Sequence, residues 1–175
     1  MVERKFEKEI SIWKPWRTDT AGTISQAYNE DIKGWKGYRF IKIEDDRADT
    51  EAIIKKYYPM LKDMFYYIAS NSVWPNIGQL DFCEFASKSK ILDGVVNISA
   101  VDRTYIAATL KVVDTAAPCL GLRRFEFLEI LVRLANIKYL ETKIVKTFAQ
   151  AAEKLFKDCM IANYTIEPWQ EFRNS

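Results

Sequence analysis

The chain has 175 residues, 49% of them hydrophobic, and its 26 basic and 24 acidic side chains leave a net charge of +2. That length supports one domain with a real core, and that hydrophobic content excludes a disordered chain. The near-balanced charge gives no electrostatic ground for a nucleic-acid or anionic-membrane partner, and the absence of histidine removes Ser-His and Cys-His catalysis together with imidazole metal ligation.

Residues 1–14 set Phe6, Ile10 and Trp13 on one helical face, and Pro15 ends that helix. TDTAGT reads as a loop in which Asp19 or Thr20 starts a turn. Gly34 and Gly37 bracket Trp35, and GYRFIKI (37–43) is a short aromatic and β-branched run, either a strand or an extended tether. EDDRADTE (44–51) reads as a solvated helix start, with its acids at the positive end of the helix dipole. From 52 to 69, Ile53, Ile54, Tyr57, Leu61, Met64, Phe65 and Ile68 follow a 3.6-residue period. Pro59 either kinks that helix or marks its first turn. SNSVWPN is then a loop, IGQL a short extended piece, and DFCEFASKSK a short helix that Asp81 can cap.

The second half repeats this order. Ser99 and Asp102 form a capping-box-like start, and Val101, Tyr105, Ile106 and Leu110 line one face. A loop with Asp114, Pro118 and Gly121 follows. RRFEFLEILVRLANIKYL is apolar nearly all round and predicts a central, largely buried helix. Ile144, Val145, Phe148, Ala151, Ala152, Leu155 and Phe156 predict an amphipathic helix from about 143 to 159. The tail carries Trp169 and Phe172, which either pack back or await a partner. No apolar run approaches the roughly 18–20 residues of a bilayer span. Cys83, Cys119 and Cys159 are isolated, which fits a reducing compartment and neither a disulfide framework nor a zinc site.

Gly78, Leu80, Asp81, Phe82, Glu84 and Phe85 resemble the second half of an EF-hand loop and its exiting helix. In that family a glycine makes the sharp turn, an aliphatic residue two positions on pairs with the partner loop, and a Glu four positions later gives two oxygens to calcium. Arg124, Phe125, Glu126, Phe127, Leu128, Glu129 and Ile130 repeat this tail, with Phe125 as pairing residue and Glu129 as last acid. The resemblance covers about residues 60–136. It implies two short loop strands, near Ile77–Leu80 and Leu122–Phe125, pairing antiparallel. It also implies a cleft that takes an amphipathic helix of another protein. The aromatic N-terminal stretch, IGQLDFCEF, and VDRTYIAATL before RFEFLEILVRLANIKY are together similar to protist and flagellar proteins with divergent EF-hand-like lobes.

Calcium wants six to eight oxygens, and the first halves of both loops lack them. Counted back from Gly78, the first, third and fifth positions are Val73, Pro75 and Ile77. Counted back from Glu129 they are Pro118, Leu120 and Leu122, with Arg123 in the glycine's place. The residues left for a calcium site are Asn71, Asp81, Glu84, Asp114 and Glu129, with Ser72 and Asn76 recruited by an irregular loop.

Bland readings outweigh sharp ones elsewhere. Asp102 and Arg103 read as a helix cap with a surface partner, Cys83 and Cys119 as core or loop thiols, and the dispersed lysines as solvated faces. Trp13, Trp16 and Trp35 read as packing groups before a stacking cluster.

The expected fold is all-α. A paired helix–loop–helix core over 52–142 is flanked by an aromatic extension at 1–51 and by a helix and tail at 143–175. The expected function is a non-enzymatic protein-interaction module without a cofactor, in a cytoplasmic, cytoskeletal or ciliary assembly. Trp13, Trp16, Trp169 and Phe172 are its expected partner anchors. The alternative is an EF-hand calcium sensor; an enzyme would need a His-free site of carboxylates, Lys, Tyr or Cys.

Overall fold

A computed structural model of the chain describes residues 20–109 and 121–166. It is helical, with no strand among the described residues. In chain order the helices are α1 (Ala21–Gly34), α2 (Glu44–Ser70), α3 (Gln79–Lys88), α4 (Ile98–Thr109), α5 (Arg124–Ala135) and α6 (Phe148–Lys154). Two of them run on as π-helical segments, α5 through Asn136–Leu140 and α6 through Leu155–Ile161. Trp13, Trp16, Asp114, Cys119, Trp169 and Phe172 lie outside the described residues.

α1 is new relative to the sequence expectations, which read only TDTAGT, at its start, as a loop and leave the rest unassigned. The Thr20 side chain accepts from the Thr23 N–H and so caps the helix. Tyr28 and Asp31, one turn apart, are its buried face. The run 37–43 is neither strand nor plain tether: Gly37–Arg39 is a 3-10 turn, and Ile41 after it is buried. Because Gly37 has no side chain, the Trp35 indole can pack against it: a Cβ there would collide with the indole Nε1.

α2 begins at Glu44, in the acidic cluster, and runs unbroken across the expected boundary between 51 and 52. Pro59 sits in its interior rather than in its first turn. Both Pro59 and Lys55, whose carbonyl loses its helical donor, are exposed, so water can satisfy that carbonyl. The opposite face buries Ile54, Tyr58, Leu61, Phe65 and Ile68. α4 is capped by Asn97, whose side chain accepts from the Ala100 N–H, and not by Ser99. α5 is the central helix, with Phe127, Leu128, Ile130, Leu131, Val132 and Leu134 at most 2% exposed. Phe127 lies at the junction, its ring within 6.2 Å of Phe65, Phe82 and Phe85.

α6 starts at Phe148 instead of 143, because Thr147 caps it and Asp46 of α2 accepts from the Phe148 and Ala149 N–H groups. Ile144, expected on its apolar face, is exposed in the preceding loop. The helix lies along α2 and α5 with Ala151, Ala152, Leu155, Phe156, Cys159 and Met160 buried. Beyond it, the Tyr164 ring meets Phe85 of α3 at 4.9 Å and Tyr67 of α2 at 6.3 Å. The helix thus packs on the core, as the sequence leads one to expect of the segment from 143 to 159, and covers the apolar face of α2 and α5.

On the solvent side of this contact, Glu153 accepts from Lys56 at 2.9 Å, pairs with Lys157 at 3.0 Å and accepts from the Tyr57 hydroxyl at 3.1 Å. Hydrogen bonds from Lys56 and Lys157 hold its carboxyl down to about 2, against an ordinary value of 4.5. A depressed carboxyl stabilises the fold above its unfolded value and ceases to do so as pH falls through the folded one. Stability measured by urea unfolding should therefore fall more steeply between pH 4.5 and about 2 in the native chain than in Glu153→Gln. Identical slopes would show that Glu153 adds nothing to the α2–α6 contact.

Candidate functional site: the bridged loops

The loop after α2 and the segment before α5 meet through one antiparallel bridge. The Ile77 N–H donates to the Leu122 carbonyl at 3.0 Å, and the Leu122 N–H donates to the Ile77 carbonyl at 2.8 Å. Both side chains are fully buried. The pairing does not extend toward Leu80 or Phe125, because both helices have begun by then. Gly78 is the residue before α3, so Leu80 sits in its first turn and is 85% exposed. Phe125 sits in the first turn of α5, its ring against Gly34 of α1. The bridge thus falls on the first residue of each expected strand, three positions before the expected pairing residues Leu80 and Phe125.

The same shift moves the acids. Four residues after Ile77 stands Asp81, and four after Leu122 stands Glu126. Asp81 accepts from the Ser72 hydroxyl, which itself accepts from the Gly78 N–H at 2.8 Å. Glu126 is 3% exposed; it accepts from the Arg123 N–H at 2.8 Å and from the Arg123 guanidinium at 2.6 Å. Each acid therefore turns back onto its own loop. Ser72, which the sequence offers as a recruitable loop residue, holds Asp81 in place, and Glu126, which the sequence does not single out as a ligand, is the second acid; each acid stands four positions after Ile77 or Leu122.

The other expected ligands are accounted for differently. Asn71 follows α2 and its side-chain amide donates to the Tyr67 carbonyl. Glu84, on the exposed side of α3, pairs with Lys88. Asn71, Asp81 and Glu84 do line one cavity of about 180 Å3, together with Tyr67, Phe85 and Tyr164. Glu129 is not a loop-end ligand: it is buried inside α5, where Arg133 donates to it from Nε at 3.0 Å and from Nη2 at 2.8 Å. Cys83 faces Asp102 at 3.8 Å, and burial first, then that carboxylate, pushes its thiol up, away from thiolate reactivity.

Two buried charges tie the surrounding elements to the loops. Arg124 donates to Asp31 of α1 at 2.5 Å and to the Tyr66 hydroxyl of α2, and Tyr58 donates to the same Asp31 oxygen at 2.5 Å. Lys138 donates to the Lys90 and Ile91 carbonyls and to Asp93. Burial raises the Asp93 carboxyl, but Lys138 and the Val96 and Val95 N–H groups outweigh it and hold it below the ordinary value.

The bridge demands a glycine beside it. A Cβ on Gly121 would stand 2.5 Å from the Ile77 carbonyl oxygen and 3.2 Å from the Asn76 Cβ. Gly121→Ala should cost about 1–3 kcal/mol through backbone displacement. Gly94→Ala, with nothing within 4 Å of the new methyl, should be near neutral. Thermal unfolding of the two variants distinguishes them, and equal melting temperatures would mean that the bridge yields without cost.

Comparison of the chain with protein-family models, with curated proteins and with solved structures found no match. No helix among the described residues is long and apolar enough to cross a membrane.

Proposed function

We propose that this chain is a non-enzymatic protein-interaction module, built as an EF-hand-like lobe whose loops keep their shape without calcium. The observation that carries the reading is the internal satisfaction of both loop-end acids, Asp81 by Ser72 and Glu126 by Arg123. In a working calcium loop that last acid turns its oxygens to the ion. Here they are already bonded to the loop. Counted back from Asp81, the first, third and fifth loop positions become Ser70, Ser72 and Trp74, two hydroxyls and an indole in place of carboxylates. The face of α2 and α5 covered by α6 supports the same reading, since a lobe that seats its own helix has no apolar face for a calcium switch to expose.

On this reading the lobe is a rigid element of a larger assembly, cytoskeletal or ciliary by the resemblance of its sequence. Trp13, Trp16, Trp169 and Phe172 remain the proposed anchors for partner proteins. Calcium titration tests it: tryptophan fluorescence and melting temperature should stay flat to millimolar calcium. A saturable rise in melting temperature, lost in Asp81→Asn or Glu126→Gln, would establish the sensor instead. The cavity shared by Asn71, Asp81 and Glu84 is where that alternative would act.

A further inference from the structure

A groove of about 280 Å3 lies where α4 meets the C-terminal end of α5, Phe40 and the start of α6. Val101, Tyr105 and Ala108 of α4 point inward. Ala100, Arg103, Thr104 and Ala107, at i, i+3, i+4 and i+7, form the other wall. The floor is apolar, with Phe40 and Phe148 in ring contact at 5.9 Å and Ile137 beside them. Arg133 is fixed within it: its guanidinium stacks 4.2 Å over the Phe40 ring and gives two hydrogen bonds to buried Glu129.

The polar groups of the groove are nearly all committed. The Thr104 hydroxyl donates to the Ala100 carbonyl at 2.7 Å, and the Asn136 amide donates to Glu141 at 2.8 Å. Among the described residues, exposed Glu141 keeps a carboxylate at the groove with only that amide donor, and Arg103 is the groove's cation without a partner. It is exposed, stands at the groove wall, and has no ion-pair or hydrogen-bond partner among the described residues. A guanidinium with five donors next to an aromatic floor is complementary to a carboxylate carried beside a bulky apolar group. The volume suits one large side chain.

We propose that this groove is a docking site for a partner-protein segment that carries an acidic residue next to a Leu- or Phe-sized one. The apolar side chain fills the hollow between Phe40, Phe148 and Ile137, and the carboxylate takes Arg103. This rests on the interaction-module reading and names the chemistry of one of its surfaces. A phosphate-bearing partner is less well served, because a single free guanidinium on an apolar floor offers little to a dianion.

The smallest molecule with both features is 3-phenylpropanoate, and its primary amide is the uncharged control. Titrated into the full chain, the acid should shift the methyl resonances of Ala100, Ala107 and Ile137 saturably. The amide should bind about fivefold more weakly, the size of a partly exposed charged hydrogen bond. Arg103→Gln should make acid and amide equal without changing the melting temperature. Equal binding of acid and amide to the native chain, no shifts at these methyls, or equal shifts with inorganic phosphate would each overturn the proposal. Native purification separates it from the broader reading. A partner retained equally by the native and Arg103→Glu chains sinks the groove and leaves the module standing. Absence of any partner sinks the module, while the probe titration still decides the groove.

Discussion

Replacing Asp31 by alanine is expected to remove about 3–5 kcal/mol of stability, the cost of stripping one partner from a buried ion pair. Asp31 is 5% exposed, and one of its oxygens receives both the Tyr58 hydroxyl and the Arg124 Nε at 2.5 Å. The variant would leave a guanidinium desolvated with only the Tyr66 hydroxyl to answer it, and a phenol with nothing. Burial first, then the Asp31 carboxylate, already pushes the Tyr58 phenol far up, so it remains a donor at any working pH. For a chain of this length the loss corresponds to a melting temperature lowered by about 8–15 °C.

The control is a double replacement. Asp31→Leu with Arg124→Met removes both charges and fills the space with apolar atoms, and buried pairs replaced this way are often neutral in stability. The double variant should therefore be more stable than Asp31→Ala. Amide exchange should show where the damage lies: α1 opens first in Asp31→Ala, because this network and the Phe125 ring against Gly34 are what hold it to α5. A single variant that loses under about 1 kcal/mol in urea unfolding would sink the account.

The helices that bury a wide apolar face were legible, and their ends were not. α2 and α5 announce themselves by the spacing of Ile54, Leu61, Phe65 and Ile68 and by the nearly unbroken apolar run from Phe127 to Ala135. α1 does not, because its main buried anchor is the carboxylate Asp31, which a search for apolar periodicity scores as surface. The loop register failed for a related reason. Gly78 looks like the sharp turn within a loop, but its φ of −68° is ordinary, and its role is to precede the helix rather than to turn the chain. With that glycine one residue before α3, Ile77 is the bridging residue and Asp81 lies in the first turn of the helix. Glu84 and Glu129 then lie inside α3 and α5. Arg133 stands four positions after Glu129 on the predicted buried helix, so that pair is a local signal; the Phe40 ring that stacks on Arg133 comes from about ninety positions earlier. The groove beside Arg103 was likewise invisible, because its walls come from the 3-10 segment, α4, α5 and α6.

Phe156→Ala is the second variant with a large expected effect, about 3–5 kcal/mol from lost burial and the cavity left behind. Its ring is fully buried and packs 5.6 Å from Tyr57. Ile161→Ala, on the same element but 52% exposed, should change stability by less than about 0.5 kcal/mol. The comparison bears on function because it measures how firmly α6 covers the apolar face of α2 and α5. Leu155, Phe156 and Met160 are each 0% exposed, and their burial alone contributes roughly 5–9 kcal/mol. That is comparable with the whole stability of an ordinary domain. A partner helix competing for the same face would forfeit this amount, or roughly four to six powers of ten in affinity. On the proposed interaction-module reading, partners should therefore dock elsewhere while α6 stays seated. If Phe156→Ala instead costs no more than Ile161→Ala, and exchange of α6 amides is as fast as that of an exposed loop, the helix is a removable cover and the face beneath it becomes a docking site.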